Sequence, residues 1–150
     1  MSAVESGAGD YLVEQLDSQL LPLVNKFYKS CRYSAKAGRE DVVFVVRSDQ
    51  QMIAAVRLQY RQDGVYFLRS MCVAPEYRRQ GVGTVLLNGM LPFLTQVLCY
   101  CYPFDHLESF YAQSGFTTIA PEAAEPYMLE AYHRYLKQGR KLLLMVRHPG

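Results

Sequence analysis

The stretch Leu68 to Thr84, LRSMCVAPEYRRQGVGT, constrains the fold of this chain more than any other. Leu68 to Val73 is mostly apolar and predicts a strand that buries at least one face. Pro75 ends that strand, because proline donates nothing to a ladder and fixes its own φ. Arg78-Arg79-Gln80-Gly81-Val82-Gly83 then leads straight into an apolar run. Val82, Val85, Leu86, Met90, Phe93 and Val97 mark one core-facing side of a helix there. A strand, a basic Gly-x-Gly turn and a helix, in that order, leave unpaired backbone N–H groups at a helix start beside guanidinium groups. Such a turn suits a phosphate, and its glycines let the ligand approach the backbone closely. A dinucleotide-binding turn fits less well. It needs Gly-x-Gly-x-x-Gly and an acidic residue on the next strand, and neither is present.

Val73-x-Pro75-x-x-Arg78-x-x-Gly81-x-Gly83 resembles the acetyl-CoA motif of the GNAT family of N-acetyltransferases. The resemblance implies that the strand's end, Met71, Cys72 and Val73, meets the pantetheine arm. It also implies that Arg78, Arg79, Gln80, Gly81, Val82, Gly83 and Thr84 hold the pyrophosphate. Ser109-Phe110-Tyr111-Ala112-Gln113-Ser114-Gly115-Phe116 resembles the family's Phe/Leu-Tyr-x-x-x-Gly-Phe segment and lies downstream of the turn, where the family places it. By that resemblance Tyr111 is the acid that meets the departing thiolate. Read from the residues alone, a Tyr in a short amphipathic helix is also ordinary half-buried packing. The pair of matches spans Leu68 to Phe116, while residues 1–60 match only in element order. In place of the family's Asn upstream of the Tyr, this chain has Phe104-Asp105-His106-Leu107, which puts one side-chain contact to the pantetheine arm in doubt.

The rest of the chain reads as elements around that centre. Residues 1–10 are small and polar and predict a frayed end. Tyr11 to Leu16 predicts a strand, with Asp17 or Ser18 as a cap and Pro22 inside the first turn of the next helix. Leu20, Leu21, Val24, Phe27, Tyr28 and Cys31 form one apolar stripe on that helix, which should end near Tyr33. Ser34 to Asp41 is a loop. Val42 to Val46, Met52 to Arg61 and Val65 to Val73 are strands joined by short turns, an antiparallel meander. Gly89 and Pro92 should bend or weaken the helix after the Gly turn. The strand Val97 to Tyr102 follows a helical crossover, so it should run parallel to the Leu68 strand. His106 to Ser114 is a short helix closed by Gly115, and Phe116 to Ala120 a strand. Tyr127, Met128, Ala131, Tyr132, Tyr135 and Leu136 predict an additional helix within 122–138, and Lys141 to Arg147 a last strand. The expected fold is α/β and GNAT-like, one domain over residues 1–150. Its central mixed sheet has about seven strands, with an antiparallel first half and two diverging parallel strands at the cofactor site, flanked by three or four helices.

Composition narrows the function classes. The 150 residues suffice for a real core, and half of them are hydrophobic. A net charge of +2 with no large basic cluster argues against a nucleic-acid partner. No apolar run has the length of a membrane span, and MSAVESGAGDY has neither the basic start nor the apolar centre of a signal peptide. Cys31, Cys72, Cys99 and Cys101 sit in apolar runs and read as buried free thiols of a cytoplasmic protein; a bridge or redox switch between the strand neighbours Cys99 and Cys101 is the other reading. No metal spacing is visible.

By resemblance the activity is transfer of an acetyl group from acetyl-CoA to a primary amine, by direct attack in a ternary complex. The acceptor is an amine on a small molecule, peptide or protein. A catalytically weak CoA-binding sensor or partner module is the alternative, supported by a missing base: relatives carry a Glu on the strand before the turn, near the position of Arg69, and Leu68-Arg69-Ser70-Met71 has no carboxylate. Glu40, Asp41, Asp105, His106 and Glu108 are the nearest substitutes, and a water chain is equally open. Arg57 and Arg69 either face solvent or point into the acceptor cleft, where they would pair with an acceptor carboxylate or phosphate. His133 and Arg134 read as the polar face of the additional helix. Tyr127, Tyr132 and Tyr135 pack on the sheet, line an acceptor pocket or cover a homodimer contact, with packing preferred.

Overall fold

A computed structural model describes residues 3–5 and 10–150. One mixed sheet of eight strands runs through it in the order β1-β2-β3-β4-β5-β6-β8-β7. The strands are β1 (Ala3–Glu5), β2 (Tyr11–Gln15), β3 (Asp41–Ser48), β4 (Gln51–Gln62), β5 (Val65–Val73), β6 (Leu98–Cys101), β7 (Thr117–Thr118) and β8 (Met145–Arg147). Strands β2 to β8 account for the expected seven, and the family-like mixed sheet is confirmed. The helices are α1 (Leu21–Ser30), α2 (Val82–Leu94), α3 (Glu108–Ala112) and α4 (Pro126–Lys137). Ala3–Glu5 corrects the expectation of a frayed start: it pairs antiparallel with β2, from Ala3 opposite Glu14 to Glu5 opposite Leu12. The remainder of the expected frayed stretch, residues 1–2 and 6–9, lies outside the described residues.

Two apolar layers sandwich the meander. Strand β3 is buried on both faces, as its unbroken β-branched run requires. Phe44 and Val46 face the α2 side with Leu86, Leu87, Met90 and Leu94. Val43 and Val45 face the α1 side with Val24, Phe27 and Tyr28. Asp17 accepts a hydrogen bond from the Gln19 amide at 2.9 Å before α1, and Pro22 sits in its first turn, both as the sequence predicts.

Gly89 has a role beyond weakening a helix. A Cβ placed there would lie 2.4 Å from the side chain of Val13, so glycine is what lets α2 close on β2. Pro92 stands inside α2, and its carbonyl, in the last turn of the helix, is bonded by side chains. Thr95 Oγ1 and Gln96 Nε2 donate to the Pro92 oxygen at 3.1 and 2.9 Å.

The additional helix α4 covers the far end of the sheet. Met128 and Ala131 are buried against Val65, Phe67, Tyr100 and Tyr102. Tyr132 and Tyr135 lie 5.6 and 6.0 Å from the Tyr102 ring, so packing on the sheet is what these tyrosines do. His133 and Arg134 are exposed, as expected of a polar face. The last strand is shorter than the apolar run KLLLMVR suggests. Leu142 makes an isolated bridge to Phe104, and Leu143 donates to the Pro103 carbonyl, before the chain joins the β6 ladder at Met145.

Candidate active site

Strand β5 organises the site because it cannot keep both neighbours along its whole length. It pairs in parallel with β6 only from Val65 opposite Leu98 to Phe67 opposite Tyr100. Strand β6 then continues against β8, while β5 runs on to Val73 beside β4 alone. The two parallel strands therefore part after Phe67, and one edge of Leu68 to Val73 is left without a ladder partner.

The parting coincides with a bulge that the sequence did not disclose. Between Ala55 opposite Cys72 and Arg57 opposite Arg69, β4 has one residue where β5 has two, Ser70 and Met71. Ser70 is left-handed at φ +59°. That geometry costs a non-glycine residue about 1 kcal/mol. It is held by the Tyr28 hydroxyl, which donates to the Ser70 carbonyl at 2.7 Å, and by Arg57, which donates to Ser70 Oγ at 3.2 Å. Each such bond contributes about 1 kcal/mol net, enough to offset the strain. The bulge also changes which face each residue serves. Leu68 belongs to the α2-side core and Cys72 to the α1-side core, although strict alternation would put both on one side.

Beyond Val73 the chain makes a single 3₁₀ turn, Pro75–Tyr77, then Arg78 in extended geometry and Arg79 left-handed at φ +63°. Gly81, at φ +79°, caps α2. The first bond of the helix runs from the Val85 amide to the Gly81 carbonyl at 3.1 Å. Among the described residues no turn, loop or cap hydrogen bond is donated by the backbone of residues 79–84. These amides form an open, positively polarised rim. Nothing lies within 4 Å of where a Gly81 Cβ would stand.

The predicted side chains divide around this rim. Arg78 folds back, its Nε donating to the Val73 carbonyl at 3.0 Å, and Gln80 donates to the Glu76 carbonyl at 2.9 Å. Both shape the turn, and Arg79 is the exposed guanidinium beside it. The Val82 side chain is in the core, so only its amide belongs to the rim; Thr84 is half-buried. Met71 and Gly83 are neighbours of Phe110. A Cβ on Gly83 would stand 3.1 Å from the Phe110 ring and 3.9 Å from Met71 Sδ. Phe110 was no candidate in the sequence; its place against the turn makes it a wall of the cleft. The Cys72 side chain points away into the α1-side core, and burial raises its thiol to about 12. Burial likewise lifts Cys99 to about 12 and Cys101 well above its ordinary range. All four cysteines are free, and these three buried thiols are neutral and non-nucleophilic.

Tyr111 sits on α3 in the core, edge-on to Phe110 at 5.0 Å and Phe116 at 5.8 Å. Gly115 at φ +93° turns the chain so that the Phe116 amide returns to the Tyr111 carbonyl at 3.3 Å. Arg147 fixes this corner, donating to the carbonyls of Ser114 at 2.8 Å and Leu94 at 3.3 Å. Burial pushes the Tyr111 phenol far above its ordinary value, and nearby Cys101, Tyr33 and Cys99 push in the same direction. On the opposite face of the sheet, Tyr33 follows α1 and its ring lies 5.6 Å from that of Tyr28.

On that opposite face, Arg57 and Arg69 stand directly across from each other in the β4–β5 register. Arg57 is 9% exposed and pairs with Asp41 at 3.0 Å, so it does not face solvent. Asp41 also accepts from the Gly38 amide at 2.9 Å and is fully committed as a structural partner. The other possible bases lie at the surface. Asp105 and His106 are an exposed pair 3.9 Å apart, Glu108 accepts from Thr118 at 2.5 Å, and Glu40 is exposed. A depression of ≈ 560 Å³ lined by Asn25, Lys29, Tyr33, Ser34, Ala35 and Lys36 opens beside Tyr33. Among the described residues no group of three or more His, Cys, Asp or Glu is arranged to hold a metal ion, and no helix is long and apolar enough to cross a membrane.

Residues 39–118, just over half of the chain, match the acetyltransferase (GNAT) domain family. The chain belongs to that family. No curated protein is significantly similar to it in sequence. Its fold is shared with N-acetylglutamate synthase from Neisseria gonorrhoeae, solved with coenzyme A and N-acetyl-glutamate: TM-score 0.66, 14% identity, 91% of this chain and 34% of that one. The chain thus spans about a third of that enzyme's length. The ribosomal-protein-S18-alanine N-acetyltransferase from Escherichia coli aligns over 91% of this chain and 92% of its own at TM-score 0.63 and 15% identity. Arabidopsis thaliana Naa50, solved with the bisubstrate analogue CoA-Ac-MVNAL, aligns over 91% and 97% at TM-score 0.61 and 14% identity. At these identities the likeness is one of GNAT fold.

Proposed function

We propose that the protein is an acetyl-CoA-dependent N-acetyltransferase that moves an acetyl group directly to a primary amine in a ternary complex. The observation that carries this is the parting of β5 and β6 beside an open amide rim, with Tyr111 and the rim on one side and Tyr33 and Arg69 on the other. A thioester seated on the first side reaches an amine arriving from the second through the gap.

The amides of residues 79–84 suit the diphosphate of acetyl-CoA, with Arg79 adding charge. The free edge of Met71 to Val73 suits the amide groups of the pantetheine arm and supplies backbone N–H groups for the oxyanion. The ammonium first loses a proton to solvent, the freed amine nitrogen forms a bond to the thioester carbon, the C–S bond breaks as the thiolate leaves, and a second proton passes from that nitrogen to solvent, which returns one to the thiolate to give CoA. Buried neutral thiols at Cys72, Cys99 and Cys101 argue against an acetyl-cysteine intermediate. With Asp41 held by Arg57 and no carboxylate on β5, the base is water reached through the open acceptor side.

Tyr111 takes a narrower part than protonation. A phenol raised this far is a poorer acid than the thiol of CoA. It therefore acts as a hydrogen-bond donor to the leaving sulfur, and the proton that finally neutralises the thiolate comes from solvent. The test is thiol release from acetyl-CoA with a panel of amines, run beside CoA titration. Tyr111→Phe should lower kcat about 100-fold while leaving the CoA dissociation constant within about threefold. Equal loss in both would make Tyr111 a packing residue. CoA binding with no turnover on any amine would favour a CoA-sensing module instead.

A further inference from the structure

Two arginines facing each other across neighbouring strands repel, so each needs compensation. Arg57 and Arg69 are such a pair, and only one of them is compensated. Arg57 has the Asp41 carboxylate at 3.0 Å. Arg69 has neutral partners: Gln59 Oε1 at 3.2 Å, the Tyr135 hydroxyl at 3.3 Å and the Phe67 ring at 5.1 Å. Arg140 approaches the same tyrosine from its face, 5.3 Å above the ring. Among the described residues the ion pairs join Arg47 to Glu14, Arg57 to Asp41 and His106 to Asp105, and neither Arg69 nor Arg140 has one.

Arg69 and Arg140 meet at Tyr135, one at its hydroxyl and one over its ring. Burial raises the Tyr33 phenol and Cys72 adds to the rise, while Arg69, Arg140 and Arg57 all oppose it. Tyr33 is exposed, Arg140 is exposed and Arg69 is half-buried. A strand and the segment after α4 thus bring positive charge to one reachable spot, with no ion pair to either arginine among the described residues. Gln59 and Tyr135 hold Arg69 in place from either side, which leaves its remaining N–H donors pre-aimed.

We infer that the acceptor amine carries an oxyanion, a carboxylate or a phosphate, and that Arg69, assisted by Arg140, binds it. The inference rests on the proposed acetyltransferase reading, because it treats the face bearing Tyr33 as the acceptor's side. Arg69 lies two residues before Met71 on β5, with the bulge at Ser70 between them, so the two are neighbours in the site. Anion and amine therefore belong close together on one acceptor. Arg69 also stands near where the family resemblance would put a Glu, and this strand, free of a carboxylate, serves acceptor recognition instead.

The test measures binding and turnover separately. The protein saturated with CoA is titrated with amino acids and with their α-amides, and with O-phosphoethanolamine and ethanolamine. The acids or the phosphate should bind at least tenfold tighter than their counterparts without the anion, and whichever series shows the preference identifies the anion. Arg69→Gln should erase the preference, Arg69→Lys should restore part of it, and CoA affinity should change less than twofold. In turnover the loss should fall on KM, with kcat largely kept. Equal affinity for partners with and without the anion, or a preference that survives Arg69→Gln, overturns the inference. Turnover of amines without the anion, with that result, would leave the acetyltransferase reading standing. Anion binding lost in Arg69→Gln, with no amine ever acetylated, would keep the anion site and sink the enzyme.

Discussion

The two sides of the parted strands are built by different means. On the side proposed for the cofactor the key parts are contiguous: β5, the turn and the start of α2 run from Val65 through Thr84, and their geometry follows from local chemistry. Pro75 stops the strand, Gly81 takes a left-handed cap, and an α-helix start leaves its first amides unpaired. On the side proposed for the acceptor nothing is contiguous. Tyr33, Arg57, Arg69 and Arg140 come from a loop, two strands and the segment after α4. Arg57 and Arg69 face each other only because β4 and β5 pair in a particular register, and Arg69 meets Tyr135 only because α4 lies on Tyr102. The first side presents backbone amides fixed by local geometry, and the second presents side chains gathered from afar.

That contrast governs how the two sides should fail. The largest effect belongs to Gly81→Glu. It places a β-carbon at φ +79° and a carboxylate in the open rim, so CoA affinity should fall at least 100-fold, roughly 3 kcal/mol. Thermal unfolding should shift by only a few degrees, because no protein atom lies within 4 Å of the new carbon. Calorimetric CoA titration and a melting curve check both halves; CoA affinity kept within threefold would show that the rim does not hold the cofactor. The smaller effect is the reverse case, Gly89→Ala in the same helix. Its added methyl meets Val13 at 2.4 Å, and overpacking of this kind costs about 1–3 kcal/mol. Denaturant unfolding should show that loss while the folded fraction binds CoA with unchanged affinity. Loss of CoA affinity with no loss of stability would remove the distinction between a glycine that serves a ligand and one that serves packing.

Legibility follows the same line. The cofactor-side elements, their order and the diverging parallel pair were readable because each rests on residues close in sequence. The bulge at Ser70 was not, since serine gives no signal for positive φ. Its clamp, Tyr28, stands 42 residues away. Arg57 looked like a solvent-facing strand residue because its partner Asp41 is revealed only by the β3–β4 hairpin packing. Tyr111 was found by its Gly-Phe context. Its burial depends on Phe110 and Phe116 and does not follow from spacing. Phe110 gives no such signal, since nothing local shows that α3 leans on Gly83.

Amide NMR tests directly whether the turn amides hold the diphosphate of CoA. In ¹⁵N-labelled protein titrated with CoA, the resonances of Gly81, Val82, Gly83 and Thr84 should show the largest shifts in the spectrum, and those of Arg57 and Arg140 should scarcely move. CoA that binds while those turn amides stay where they were would show that they do not.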